Sequence, residues 1–326
     1  MKLRFTVAPE HGGKRAADVL SVSHGLSRTL LKKIRLYGRL TVNGHDWRMI
    51  DPVRAGDELC VHYEAPDELA SDLPLRPVEG IGIIWQDRDL AVVAKPPGLT
   101  THAGPFGHFQ GLTDLLAEAV GGSGTGLHPV GRLDRDTSGL LVLARHPHAH
   151  HRLTDGILRK DYLALVHGVP PSARGLIRLP IARKAESLIE RCVSPRGRMA
   201  VTAYRVLGHC PSPVAAGSSV AASEGLSWLA VRLLTGRTHQ IRVHMAALGC
   251  PLVGDSLYGH RGDDENESDR AARRQALHAA RLVLRHPRDG RELVFTAPLP
   301  PDLAPFAAGD VGAAVTAWYR SEAERD

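Results

Sequence analysis

From residue 81 onward the chain repeats one pattern, an apolar run of five to seven residues closed by a turn signal. The runs lie at residues 81–85, 90–94, 140–144, 162–166 and 228–234. They are of strand length and too short for amphipathic helices. Helical periodicity is clearest in three stretches, 113–120, 150–158 and 239–248. Many short strands with few helices predict an α+β domain built on a large, mostly antiparallel mixed sheet. No apolar stretch reaches the roughly 18 residues needed to cross a bilayer as a helix. The N-terminus lacks the apolar segment of a secretory signal, so the cytoplasm is the expected location and no membrane is expected as a partner.

The first 64 residues form a module of a different kind. Residues 15–22 are helix-like, and Ser27 is a suitable N-cap for a second helix running to Tyr37, with Gly38 as its stop. Two strands follow, at 40–42 before the turn pair Asn43 and Gly44, and at 58–63. Arg28, Lys32, Arg35 and Arg39 recur at helical spacing opposite Leu30, Ile34 and Tyr37, which predicts a cationic face for RNA. This helix–helix–hairpin segment resembles the S-four-like RNA-binding fold. The net charge of +6 and the pI near 9.3 also favour a polyanionic partner. Residues 65–79, acidic and proline-containing, are expected to be a linker to a catalytic domain at 80–326.

Residues 131–140 place Asp134 beside Arg132 and Arg135 in a glycine-bounded loop that runs into an apolar strand. A scaffold of that kind fixes a carboxylate and leaves it reachable. A second segment, 234–248, reads as strand, Thr-Gly-Arg turn and helix, with Arg237 at the turn and Arg242 in the first helical turn. Lys95-Pro96-Pro97-Gly98 ends one strand, and Lys160-Asp161-Tyr162 opens another. Asp136 raises the alternative of a two-carboxylate glycosidase, but residues two apart on one loop need not point together. Asp255 is read as holding a turn. His146, His148, His150 and His151 are read as a solvated or RNA-facing patch rather than a metal site, and the glycine-rich stretch 121–126, with no following lysine, as a connector. The four cysteines are far apart and are expected as buried thiols. Residues 212–225 and 261–275 are expected to be surface insertions.

Together these motifs resemble the RluA-type family of RNA pseudouridine synthases. Arg132-Leu133-Asp134 with Thr137-Ser138-Gly139-Leu140 is similar to that family's catalytic loop. The run from Thr235 to His244, continued by Gly254-Asp255 and Leu257-Tyr258-Gly259, is similar to its arginine motif, and Leu277-His278-Ala279 follows in order. The chain departs from the pattern at Gly131, where that family usually has histidine. The resemblance implies isomerisation of uridine in structured RNA, most naturally large-subunit ribosomal RNA with tRNA as the second choice. It needs no cofactor and no metal. Asp134 would act at the ribose or the base, with Arg242 holding it charged and directed. Tyr162 would be a stacking face for a flipped base or a core tyrosine. Arg132 would fill the vacated space or bind phosphate. Arg237, Leu234, Ile241 and Lys160 would complete the substrate pocket. The contrasting reading is a non-catalytic RNA-binding or ribosome-assembly protein. Oligomeric state is open, with a monomer favoured.

Overall fold

The computed structural model describes residues 2–63, 74–102, 110–119, 127–210, 225–260 and 267–323. Among the described residues there are two sheets, of four and eleven strands, each with its own elements packed on it.

The smaller sheet contains β1 (Lys2–Thr6), β2 (Gly38–Val42), β3 (His45–Asp46) and β4 (Glu58–Tyr63), in the order β1-β4-β2-β3. Helices α1 (Ala16–Val22) and α2 (Arg28–Tyr37) contribute Val19, Leu20, Leu30 and Ile34 to a core shared with Leu40, Leu59 and Val61. The Ser27 side chain accepts the Leu30 N–H at 3.1 Å, as its N-cap position demands. Gly38 stops α2 for a reason the sequence does not display. Its φ is −121°, and a Cβ there would sit 2.9 Å from both the His62 and Ile34 carbonyl oxygens, so glycine is needed for close approach. Asn43 and Gly44, with φ of 50° and 83°, turn β2 into β3. β1 was not singled out as a strand in the sequence, although Leu3 and Phe5 alternate strictly with Lys2, Arg4 and Thr6 along it. Arg39 is corrected: it lies on β2, not on α2, and its guanidinium holds Asp46 through two hydrogen bonds of 2.5 and 3.0 Å. Arg28, Lys32 and Arg35 are exposed on α2. The side chain of Tyr37 lies outside the described residues.

The larger sheet takes β5 (Gly82–Gln86), β6 (Leu90–Lys95), β7 (His128–Pro129), β8 (Ser138–Ala144), β9 (Ile157–His167), β10 (Arg174–Arg183), β11 (Arg191–Val193), β12 (Arg198–Cys210), β13 (Leu226–Leu233), β14 (Leu277–Arg285) and β15 (Glu292–Thr296). Its main path is β11-β10-β12-β13-β9-β14-β8-β6-β5, with β15 on β14 and β7 on β8. Every pairing is antiparallel except that of β8 with β14, so the sheet is mixed as expected. The further α-helices among the described residues are α3 (Leu112–Ala119), α4 (Pro147–Gly156), α5 (Gln240–Ala247), α6 (Glu267–Ala272) and α7 (Gly309–Ala323). Alternation along β9 sends Tyr162, Ala164 and Val166 into one core and Leu163 and Leu165 into another, so the sheet is covered on both faces here. The first of these cores includes Leu133, Tyr162, Ile241 and Leu277, and it supports the site described below.

Three expectations are corrected. Leu75 is buried in the core of the larger sheet and its N–H donates to the Gln86 side chain at 2.7 Å, so the chain has docked there before residue 80 and the connector is shorter than 65–79. Residues 267–275 are not a surface insertion, because Ser268, Asp269, Ala272, Arg274 and Gln275 are all buried. The histidines 146, 148, 150 and 151 are half-buried rather than fully solvated: His146 caps α4 and bonds Asp89 at 3.0 Å, while burial pushes His148 down to about 4. The stretches 121–126, 212–224 and 261–266, and most of the linker, lie outside the described residues. The four cysteines are free, two buried and two half-buried.

Candidate active site

Asp134 lies in the loop between β7 and β8, and buried groups hold that loop on both sides of it. Leu133 exchanges hydrogen bonds with the Thr101 hydroxyl through both its N–H and its carbonyl, at 3.3 and 3.1 Å. The Thr137 N–H donates to the Asp134 carbonyl at 3.1 Å. Lys95 is 1% exposed, and its Nζ donates to the carbonyls of Pro96, Leu99 and Arg135 at 2.7, 2.8 and 2.9 Å. Burial pushes Lys95 down to about 7, but three carbonyl acceptors use all three N–H groups of an ammonium, which favours the charged form. Arg274 donates to the Asp136 carbonyl at 2.9 Å and to the Ser138 hydroxyl at 3.1 Å. The Pro-Pro-Gly turn and the loop are thus one assembly with a fixed backbone.

The opposing wall is the turn from β13 into α5. Gln240, 2% exposed, organises it: its side-chain oxygen accepts from the Thr235 hydroxyl at 2.8 Å and from the Arg237 N–H at 2.9 Å. Its amide donates to the Val201 carbonyl and the Thr202 hydroxyl at 3.0 and 2.9 Å. All four hydrogen-bonding positions of this buried amide are therefore filled. The turn delivers Arg242 to Asp134 with Nη1 3.2 Å from Oδ2. The rest of the guanidinium forks onto Asp255, with Nε and Nη2 at 2.8 and 2.7 Å from its two oxygens. Burial works against charge on Arg242, yet hydrogen bonds to Asp255 and the charges of Asp255 and Asp134 more than offset it and hold the group above its ordinary value. Asp255 also accepts the N–H groups of Leu257 and Tyr258 at 2.9 and 3.1 Å, so it holds a turn as expected and orients the arginine as well.

Two further groups join that the sequence reasoning did not single out. His239, at φ 57°, places Nε2 3.8 Å from Asp134, and its Nδ1 is 2.7 Å from the Tyr258 hydroxyl. The Tyr258 oxygen also accepts the Arg191 N–H at 2.7 Å, and the Arg242 guanidinium lies 5.0 Å from the centre of the Tyr258 ring. Burial lowers the pKa of His239, so it is neutral near pH 7 despite the Asp134 carboxylate. Tyr162 is buried against the loop, and burial followed by the Asp134 charge pushes its hydroxyl up, keeping it protonated. The signal for His239 and Tyr258 was their place in the arginine motif and its continuation.

Arg132, Asp134, Tyr162, Arg237, Ile241 and Arg242 all line one cleft of about 60 Å³. Two expected members do not. Leu234 is 57% exposed, because β13 ends one residue earlier and Leu233 faces the cleft in its place. Lys160 sits behind the loop, beside Gly131, in a narrow crevice shared with Arg132 and Tyr162. Asp136 is engaged by Arg135 at 3.0 Å and does not line the cleft, which leaves the glycosidase alternative without a second acid among the described residues that line it. A larger hollow, about 250 Å³, lies elsewhere between Arg174, Arg232 and Trp318 and contains neither Asp134 nor Arg242. Chemistry, not size, selects the smaller one.

A carboxylate held by a guanidinium, next to a neutral imidazole and a protonated phenol, suits nucleophilic or proton-transfer work on a polar substrate. Comparisons with known proteins point the same way. A family model described as RNA pseudouridylate synthase matches residues 89–247. The uncharacterized RNA pseudouridine synthase YjbO of Bacillus subtilis (strain 168) is 35% identical, over 88% of this chain and 96% of its own. The ribosomal large subunit pseudouridine synthase D of Vibrio cholerae is 34% identical over 93% of each chain. Among solved structures, human RNA pseudouridylate synthase domain containing 1 aligns with a TM-score of 0.56 at 26% identity, covering 75% of this chain and 97% of that one.

Proposed function

Because this chain belongs to the family of RNA pseudouridine synthases, which are isomerases of uridine in RNA, we propose that Asp134 carries the reaction and that the substrate is large-subunit ribosomal RNA. The observation that carries the catalytic part is the contact of Arg242 with Asp134 in a cleft also lined by Tyr162 and Ile241.

The reaction breaks the bond from ribose to uracil N1, turns the base and rejoins it through C5. Nothing is oxidised or reduced, and no group is donated from outside. An ionised carboxylate can attack the sugar, attack the base or remove a ribose proton, and all three routes need the direction that the Arg242 contact imposes. Uracil reaches the cleft only after leaving its stack, at a cost of a few kcal/mol. Tyr162 and Ile241 offer apolar faces to the extruded base, and Arg132 and Arg237 lie at the cleft as cations for neighbouring phosphates. Neutral His239 faces the carboxylate at 3.8 Å without adding a second cation. The exposed Arg28, Lys32 and Arg35 on α2 supply a further RNA-binding face. The enzyme works in the cytoplasm with its RNA.

The ribosomal assignment is supported by relatives named for the ribosomal large subunit, which align along nearly the whole chain. Mapping of pseudouridines in RNA from cells lacking the gene tests it. The expected result is loss at one or a few large-subunit positions, restored by wild type and not by Asp134→Asn. Losses confined to tRNA would overturn the ribosomal assignment and leave the role of Asp134 standing.

A further inference from the structure

The last residue of β9, His167, meets His260 and also Asp269, which lies on α6. We propose that these three side chains form a binding site for one divalent transition-metal ion, zinc being the ion that suits the donor set. The proposal goes beyond the isomerase reading and uses none of the residues lining the Asp134 cleft.

The observation that carries it is the state of His260. Its Nδ1 is buried and has no hydrogen-bond partner, an arrangement that costs stability when nothing fills it. The same atom faces Asp269 Oδ2 at 3.7 Å, too far for a hydrogen bond. Two ligand atoms each bound at about 2.1 Å to a tetrahedral zinc lie roughly 3.4 Å apart, so this gap is within a few tenths of an ångström of the spacing an ion would set. On the other carboxylate oxygen, His167 Nε2 is 2.7 Å away, and that contact would open by roughly 0.7 Å to reach the spacing of two ligand atoms. The three donor atoms lie within 4.8 Å of one another, and the two imidazole rings pack with centroids 4.4 Å apart. Two imidazoles and one carboxylate select zinc and its neighbours over magnesium or calcium, which prefer all-oxygen shells. His260 is about one-third exposed, which leaves room for water at a fourth position.

The second trio of this kind, Asp87, Asp89 and His286, does not compete. Asp89 already accepts from Arg288 at 2.8 and 2.9 Å and from His146 at 3.0 Å, and Asp87 accepts the N–H groups of Asp89 and Leu90. Its oxygens are spent on a closed network.

An ion between His167, His260 and Asp269 would be structural. Asp269 Oδ1 also accepts the Gly254 N–H at 2.7 Å, and Gly254 adjoins the Asp255 that grips Arg242. The metal would therefore fasten the end of β9, the segment after Tyr258 and α6 to the turn that orients the arginine.

The test uses the full-length protein, stripped with a chelator and then titrated with zinc chloride or magnesium chloride. Wild type should retain one equivalent of zinc after gel filtration and show an upward shift in melting temperature, with no shift from magnesium. His260→Gln should fold with an unchanged circular dichroism spectrum, bind zinc at least about tenfold more weakly and lose the melting shift. Asp269→Asn should behave likewise, and where it fails to fold, His260→Gln decides. Failure of wild type to retain zinc, or retention of equal zinc by His260→Gln, would overturn the proposal. Metal content is read without any assay of RNA, so its failure leaves the isomerase reading untouched.

Discussion

Arg242 serves two carboxylates at once, and its planar fork is what makes that feasible. Nε and Nη2 are committed to Asp255, which leaves Nη1 for Asp134. A lysine has one charged nitrogen and cannot reproduce the fork, so Arg242→Lys should retain the fold and lose about 10²-fold in turnover, measured under single-turnover conditions. Asp255→Asn is expected to be worse for folding. It leaves a guanidinium that is 4% exposed without its main counter-charge, at a cost of about 3–5 kcal/mol in urea unfolding. The motif spacing makes Asp134 and Arg242 legible as partners, because a glycine-bounded loop and a strand–turn–helix each fix where one side chain points. Asp255 was legible only as a turn former. That an aspartate caps two N–H groups and grips an arginine 13 positions earlier depends on tertiary packing, to which local spacing is blind.

Among the elements, the parallel pairing of β8 with β14 fixes the strand that follows the Asp134 loop. Gly139 has φ +112°, and a Cβ there would sit 2.2 Å from the Ala279 carbonyl oxygen. Gly139→Ala should therefore destabilise the protein by on the order of 3 kcal/mol or prevent folding, as read by thermal melting. His278 ties the same two strands together, with Nδ1 2.9 Å from the Ser138 hydroxyl and Nε2 3.3 Å from the Ala297 carbonyl. Burial pushes its imidazole down to about 4 from an ordinary 6.5. Between those values the unfolded chain binds the proton and the folded one resists it, so stability falls as pH drops from 6.5 to 4, by about 3 kcal/mol at most. In His278→Gln that acid slope should be shallower, while an unchanged slope would assign it elsewhere, such as to His148. The strands around the site were readable where apolar runs are uninterrupted, as in β6 and β8. β10 was not, because Pro180 and Gly175 read against a strand, nor β12, whose alternation is broken by a bulge between Val206 and Gly208. β14 hid for the opposite reason, since it buries His278 and Arg281 in what would otherwise read as an apolar strand.

At the scale of the whole molecule, the two sheets have separate cores, and the proposed function gives the smaller the task of holding RNA and the larger that of acting on it. Reversing Arg28, Lys32 and Arg35 to glutamate in the full-length protein should weaken RNA binding and reduce its salt dependence by about one charge per lost phosphate contact. Binding that is unchanged across a salt series would remove α2 from the RNA interface. Arg39, already engaged by Asp46, should matter less than the other three. The broad architecture, a small helical and hairpin module before a large mixed sheet, followed from run lengths and turn residues. The early docking of Leu75 and the burial of residues 267–275 did not, because charged and proline-rich composition conceals single apolar anchors. Every level of this account converges on one carboxylate. Release of tritium from RNA labelled at uracil C5, measured with excess enzyme, tests it most directly: wild type should release label and Asp134→Asn should release none above background. Equal release by the two proteins would contradict the account.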